Sequence, residues 1–166
     1  MTSDKPTGGR QRRVAWSVGA LFGVPLPDGS LAVGQAVALM MPNVVYCALT
    51  RVRIPAGAST VPEVGPVDVT ARVALTREEL DQGAWRVLGE ARALSPKGDF
   101  ANEAFARQGY SGATVYDATV AADFLEAYHG FAFWDDWADP RLFDQWLVAP
   151  HQRPDAVRLK GRAPPA

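Results

Sequence analysis

The chain has 166 residues, of which 48% are hydrophobic and 21% charged, and its formal net charge is −1. This length and composition are ordinary for one globular domain with a real core, and they exclude a chain that is disordered throughout. The near-neutral charge argues against a general nucleic-acid-binding protein, which would carry a clear cationic excess.

Sorting and redox signals are sparse. No stretch reaches the roughly 18 uninterrupted apolar residues of a membrane helix, and residues 1–13 lack the apolar segment of a signal peptide. Cys47 is the only cysteine, which excludes an internal disulfide and a cysteine-based metal cage. We therefore expect a cytoplasmic protein, with a single mostly-β domain at 14–160 between flexible tails at 1–13 and 161–166.

The first half of the chain reads as three strands. Apolar runs at 20–24, 31–39 and 44–54 are separated by turn signals, of which Asp28-Gly29 is the strongest because glycine accepts a positive φ. Gly34 inside the second run predicts a bulge or a close approach of another group. An antiparallel meander is the simplest arrangement, because strands usually pair with their sequence neighbours.

The middle of the chain predicts a loop, a strand and a short helix. Residues 55–66 are rich in proline and glycine, and residues 67–75 then alternate with Val67, Val69, Ala71, Val73 and Leu75 on one face. Thr76 and Glu79 have the spacing of a capping box for a helix that ends at Gly83. Residues 85–94 predict an extended segment, and residues 95–112 a long connection.

The last third predicts two helices. Asp117 or Thr119 can cap the first, which ends at about His129 before Gly130. Asp139 followed by Pro140 predicts the start of a second, whose apolar stripe contains Leu142, Phe143, Trp146 and Leu147. Strands followed by helices favour an α+β fold, in which one or two C-terminal helices pack on an antiparallel meander that could also close into a barrel-like sheet.

The sequence predicts no catalytic centre, no metal site and no cofactor. It contains neither a phosphate loop nor a dinucleotide-binding fingerprint, and His129 and His151 are not at the spacing of metal ligands. Cys47 lies in an apolar strand, where a thiol is normally inert. Asp135 and Asp136 are adjacent, so their side chains should diverge, and solvated surface carboxylates are the default interpretation. We expect a protein that is not an enzyme.

Charge and aromatic residues together indicate a contact surface in the last third. Between Asp117 and Leu147 there are seven acidic residues and one basic residue, a local net charge of −6, and three of the five tryptophans lie in the same segment. Acidic charge attracts a cationic partner, and a partly exposed tryptophan can anchor it. The spacing of Trp146 assigns it to the core, and we expect Trp134 or Trp137 also to pack inward. The predicted partner-binding residues are Trp134, Asp135, Asp136, Trp137 and Asp139.

The segment from Val18 to Gln35, VGALFGVPLPDGSLAVGQ, resembles the opening of the immunity protein 26 family of bacterial polymorphic toxin systems. In that family a glycine precedes a strand that ends in a Pro-Leu-Pro-Asp-Gly-like turn, and the returning strand carries a glycine followed by a polar residue. The segment from Asp139 to Leu147 is loosely similar to the C-terminal helix of the family. The resemblance implies that Pro25, Asp28, Gly29 and Gly34 determine the fold and do not contact a toxin.

The resemblance also implies a function. An immunity protein binds and neutralises a cognate protein toxin without catalysis, and an acidic interface would suit a toxin with a cationic cleft; we expect no membrane or direct nucleic-acid partner. One alternative is a small-ligand-binding or regulatory β domain, with a pocket lined by Trp16, Trp85 and Phe22. A second is a small hydrolase that uses unpaired carboxylates.

Overall fold

The computed structural model describes residues 14–58 and 60–161. Five strands form one antiparallel sheet in the order β4-β3-β2-β1-β5. The strands are β1 (Ala20–Pro25), β2 (Leu31–Met41), β3 (Val44–Ile54), β4 (Val69–Thr76) and β5 (Arg86–Glu90). The α+β prediction and the meander of the first strands are confirmed. β4 and β5 lie at opposite edges and do not pair, so the sheet is open and the barrel-like alternative is wrong.

The turn between β1 and β2 is formed by the residues that predicted it. The amide of Gly29 donates to the carbonyl of Leu26 at 3.0 Å, and Gly29 has a φ of +83°. The carboxylate of Asp28 accepts from the amide of Ser30 at 3.0 Å. Because an L side chain rarely adopts such a φ, glycine is required at position 29 for this tight reversal.

Gly34 is required for a different reason. The register of β2 against β3 shifts between Ala32 and Gly34, which is the predicted bulge. A Cβ atom at Gly34 would lie 2.6 Å from Cζ of Phe22, so a close approach is present as well. Phe22 is fully buried and stacks on Trp85 with ring centroids 5.0 Å apart.

Gln35 ties β2 to the chain that follows β5. Its fully buried amide donates to the carbonyls of Gly19, Ala91 and Arg92 and accepts from the amide of Leu94 at 2.7 Å. A buried polar group lowers the stability of the fold unless it is hydrogen-bonded, and both the nitrogen and the oxygen of the Gln35 amide have partners.

Both faces of the sheet are covered. On one face Cys47 and Leu75 belong to an apolar cluster completed by α2 (Ala118–Tyr128) and α3 (Leu142–Trp146). On the other, Tyr46 stacks on Phe100 at 4.5 Å, in the segment between β5 and α2. Residues 95–112 of that segment were predicted as a long connection, and they contain 3₁₀ helices at Lys97–Asp99 and Ala101–Gln108.

Two predictions in the middle of the chain are wrong in detail. Val67 is not in β4: it lies in a 3₁₀ turn (Pro66–Asp68) and is 73% exposed. Val69 packs in the cluster opposite to that of Ala71, because the register of β3 against β4 shifts beside it. A bulge moves the side chains that precede it in the strand to the opposite face of the sheet. The alternation of apolar residues within one strand does not reveal where such a bulge lies.

The predicted capping box is also absent. The short helix α1 (Glu78–Asp81) begins after Arg77 without a side-chain cap, and the hydroxyl of Thr76 instead accepts from the amide of Ala118 at 3.0 Å. Gly83 follows the helix with a φ of +76°, as predicted. The extended segment predicted at 85–94 is a strand only over β5.

The C-terminal helices match their predicted positions more closely. Asp117 caps α2 by accepting from the amide of Thr119 at 2.9 Å, and Gly130 follows the helix with a φ of +85°. α3 begins at Leu142, two residues later than Pro140 suggested, after a turn in which Asp139 accepts from the amide of Arg141 at 2.9 Å. In the part of the chain that is described, no helix combines the length and apolarity needed to cross a membrane. Apart from Gly161, the predicted tails at 1–13 and 161–166 lie outside the described residues.

Candidate functional site: an aromatic–acidic loop and a cavity beside β4

Trp134 was predicted as a contact residue, but its side chain lies in the core. Its side chain is fully buried, with its ring centroid 5.4 Å from that of Phe124 and 5.5 Å from that of Phe143. Its indole N–H donates to the carboxylate of Asp144 at 2.9 Å, and its backbone amide donates to the carbonyl of Arg158 at 2.8 Å. Trp134 is therefore a core residue. Trp146 is in the same aromatic cluster, as predicted.

The other four predicted contact residues lie at or near the surface. Asp135 is half-buried and accepts from the backbone amide of Lys160 at 2.8 Å, while the exposed Asp136 pairs with the ammonium group of the same lysine. Trp137 is half-buried and packs edge-on against Phe143 at 5.6 Å. Asp139 is exposed. We call residues 133–139 the aromatic–acidic loop.

Buried Trp134 holds this loop in one position. Phe133, next to it, is 37% exposed, and the guanidinium of Arg158 lies 4.9 Å from its ring centroid. The loop thus presents two partly exposed aromatic rings, Phe133 and Trp137, together with the carboxylates of Asp136 and Asp139. A loop that is ordered before binding loses less entropy when a partner arrives.

The negative charge of the last third is partly balanced by the segment after α3. Arg153 pairs with Asp144 at 2.9 Å, and Lys160 pairs with Asp136. Residues 151–161 carry three basic side chains and one acidic, so the net charge of −6 falls to −4 when they are included. On α2, partial burial raises the pKa of Asp123 and of Glu126, and the Asp123 charge raises the latter further. The surface remains acidic, but less so than the local sequence suggested.

The pocket predicted between Trp16, Trp85 and Phe22 is wrong. Phe22 and Trp85 are buried against each other. Trp16 donates its indole N–H to Asp81 at 2.8 Å, and the guanidinium of Arg77 lies 4.8 Å from its ring centroid. All three side chains therefore serve packing.

A cavity of about 430 Å³ lies instead at the outer edge of β4. Aromatic rings from three segments form much of its wall, and Arg72 and Asp99 supply charge, with Nη2 4.0 Å from the carboxylate. Nε of Arg72 also donates to the hydroxyl of Ser95 at 2.9 Å. The aromatic lining residues are Tyr46, Phe100, Phe105, Tyr116 and Trp146. Its volume is in the range of small-ligand sites.

The sequence did not predict this cavity, although β4 contains one residue that indicates it. Arg72 is the one charged residue of β4, which indicates that its face is not simply core. Phe105 lies in the long connection predicted at 95–112, and Tyr116 lies between that connection and the helix predicted from Asp117, so nothing in their local pattern placed them beside β4.

Cys47 and His151, which were considered as a nucleophile and a metal ligand, both lie where a structural role explains them. Cys47 is fully buried, and burial raises the pKa of its thiol. A nitrogen of the His151 ring lies 2.8 Å from the carbonyl of Val67. No group of three or more potential metal-ligating side chains occurs within residues 14–58 and 60–161.

No protein-family model, curated protein or solved structure matches the chain. The resemblance to immunity protein 26 therefore stays a prediction from residues 18–35.

Proposed function

We propose that this chain is a non-catalytic binding protein of the immunity type, which neutralises a cognate polymorphic toxin by direct contact in the cytoplasm of a bacterium. The observation that carries the proposal is the aromatic–acidic loop. Buried Trp134 fixes the loop, and Trp137, Phe133, Asp136 and Asp139 are left at its surface.

The chemistry of the loop suits a cationic protein surface. Partly exposed aromatic rings supply apolar contact area, and neighbouring carboxylates speed the encounter with a partner of opposite charge. Enzymes that act on nucleic acids carry cationic clefts, so a toxin of that class would fit. The loop would then cover the cleft or an adjoining surface that the toxin needs.

The turn that carries the family resemblance gives further support. Asp28 and Gly29 form the turn between β1 and β2, and Gly34 permits the close approach of Phe22. These roles are structural, which is what the resemblance implies for these residues. Toxin contact is therefore assigned to the other end of the chain.

Co-expression with the product of the neighbouring gene tests the proposal. The wild-type protein should protect the cells and should be recovered in a complex with that product. We expect the double substitution Asp135→Ala and Asp136→Ala to weaken the complex at least tenfold, because it removes two carboxylates from the contact. An unchanged affinity would exclude the loop as the interface.

The matched control is Glu63→Ala, which removes an exposed carboxylate in the loop between β3 and β4. It should leave the affinity unchanged. Thermal unfolding of each variant separates a lost contact from a lost fold: the double variant should melt only slightly below the wild type, because it removes one exposed ion pair, which contributes little, and the hydrogen bond from the Lys160 amide to Asp135, which contributes about 1 kcal/mol. If the wild-type protein neither binds the neighbouring product nor protects against it, the immunity function is wrong.

A further inference from the structure

The chain itself closes both ends of the outer edge of β4. At one end the amide of Tyr116 donates to the carbonyl of Ala74 at 2.9 Å. At the other end the amide of Val148 donates to the carbonyl of Thr70 at 2.9 Å. The cavity beside β4 opens between these two bridges, and residues of both bridges line it. An extended polypeptide along this edge would collide with one bridge or the other, so the cavity suits a small molecule.

An arginine and a carboxylate lie side by side in the wall of this cavity. Arg72 is half-buried, and its Nε donates to the hydroxyl of the buried Ser95 at 2.9 Å, which orients the guanidinium group. Its Nη2 lies 4.0 Å from the carboxylate of Asp99. Hydrogen-bonded ion pairs are about 2.8 Å apart, so these two groups are close without being hydrogen-bonded to each other. Each of them can therefore bind a charged group of a ligand.

The gap between Arg72 and Asp99 matches the two charged groups of an amino acid. By standard covalent geometry, the ammonium nitrogen and the nearer carboxylate oxygen of an α-amino acid lie about 2.7 Å apart. With hydrogen bonds of about 2.8 Å from that oxygen to Nη2 and from that nitrogen to Asp99, a four-sided ring closes whose fourth side is the observed 4.0 Å. A ligand with only one charge would bind one of the two side chains and leave the other without a partner.

Aromatic rings form the neighbouring wall of the cavity. Phe105 and Tyr116 are half-buried in it, and the ring of Trp146 lies edge-on to that of Tyr116 with centroids 4.9 Å apart. Aromatic walls stabilise apolar groups by burial, and they stabilise a further ring by stacked or edge-on contacts. The amino acid that fits this wall therefore has an apolar side chain.

We propose that the cavity beside β4 binds a free α-amino acid with an aromatic or large aliphatic side chain. The carboxylate of the ligand accepts from Nη2 of Arg72, and its ammonium group donates to the carboxylate of Asp99. Its side chain packs against Phe105 and Tyr116. This site is separate from the aromatic–acidic loop, and the proposal goes beyond the immunity function and does not rest on it.

An NMR titration of the ¹⁵N-labelled chain with L-phenylalanine tests the proposal. We expect saturable shifts of the Ala74 and Tyr116 amides and of the Nε–H of Arg72. 3-Phenylpropanoate lacks the ammonium group and 2-phenylethylamine lacks the carboxylate, so each should bind at least tenfold more weakly. Equal binding of either analogue, or no saturable shift with L-phenylalanine, would overturn the proposal.

Asp99→Asn separates the two charged contacts. The variant keeps the shape of the side chain but loses the charge that binds the ammonium group. Its affinity for L-phenylalanine should fall at least tenfold, whereas its affinity for 3-phenylpropanoate should not fall. The matched control is Asp155→Asn, which changes an exposed aspartate that does not line the cavity and should leave both affinities unchanged. An equal loss for both ligands in Asp99→Asn would contradict the ammonium contact and overturn the proposal.

Variants of neighbouring residues locate the site. Thr114→Phe should fill the cavity and abolish the shifts, whereas Val115→Phe, on the next residue, which is exposed and does not line the cavity, should leave them unchanged. A well-dispersed spectrum shows that each variant is folded. Binding that survives Thr114→Phe would overturn the assignment to this cavity. The double variant of Asp135 and Asp136 should bind L-phenylalanine normally, so its result separates this proposal from the immunity function.

Discussion

Gly34 shows how a single residue can set the packing of two strands. The nearest heavy atom to a Cβ at this position would be Cζ of Phe22, at 2.6 Å, and the Phe22 ring cannot withdraw because it is fully buried against Trp85. Real Cβ contacts are longer, so Gly34→Ala must displace the ring or the strand. We expect the substitution to lower the free energy of unfolding by about 1–3 kcal/mol, the usual cost of overpacking a core. Urea unfolding would measure it.

Gly89 provides the control for that measurement. It lies in β5, and no heavy atom lies within 4 Å of the position that its Cβ would take. Gly89→Ala should be neutral or stabilise the protein by up to about 1 kcal/mol, because alanine loses less backbone entropy in a strand. Similar losses in both variants would contradict the packing explanation.

At the scale of elements, the local patterns predicted most strands and α2 correctly. Period-2 alternation, Asp28-Gly29 and the Asp117 cap act within a few residues, so the sequence reveals them directly. The capping box at Thr76 failed because its hydroxyl is engaged by Ala118, 42 positions away in the chain. Val69 was misplaced because its facing depends on the register of β3. Both errors come from long-range contacts.

The candidate sites also differ in whether local sequence or long-range contacts form them. Composition alone located the acidic segment, and the structure places Asp136, Trp137 and Asp139 on one loop. The sequence could not show which of Trp134 and Trp137 is the buried one, because both tryptophans flank the same two aspartates. The cavity beside β4 was out of reach, since its walls come from four separate segments.

The C-terminal end of α2 carries a pH-sensitive group. His129 follows the helix, and its Nε2 is buried without a hydrogen-bond partner among the described residues. The pKa of His129 is lowered from 6.5 to about 4, chiefly by burial and then by the nearby charge of Arg53, while the charge of Asp28 opposes the shift. A helix C-terminus normally favours a cationic histidine. Here burial and Arg53 outweigh that effect.

The depressed pKa predicts a loss of stability in mild acid. Between pH 6.5 and about 4 the unfolded chain binds a proton at His129 and the folded chain does not. The free energy of unfolding should therefore decrease as the pH is lowered from 6.5 to about 4, by less than about 1.4 kcal/mol per pH unit. Above pH 6.5 this contribution is constant.

His129→Gln removes the titrating group while keeping a polar side chain of similar length. Urea unfolding of both proteins between pH 4 and 7.5 would give the two profiles. The wild-type curve should be the steeper below pH 6.5, and the curves should run parallel above it. Parallel curves over the whole range would show that His129 titrates normally.

At the scale of the whole molecule, β3 is an interior strand of the sheet. It pairs with β2 on one side and β4 on the other, and a layer of the protein covers each of its faces. Cys47 lies within β3 and is fully buried. No reagent reaches its sulfur without separation of the sheet from the layer formed by α2 and α3.

The reactivity of Cys47 should therefore report on global unfolding. Burial raises the pKa of this thiol, and only the thiolate reacts. We expect a thiol reagent to label the native protein at least about 1000-fold more slowly than the urea-unfolded chain, because the stability of a domain limits the open population. Val67→Cys, at a 73% exposed position, provides a second thiol that should label at once in the folded protein. Rapid labelling of Cys47 in native buffer would show that α2 and α3 leave the sheet without global unfolding, and the core would then comprise two separable layers.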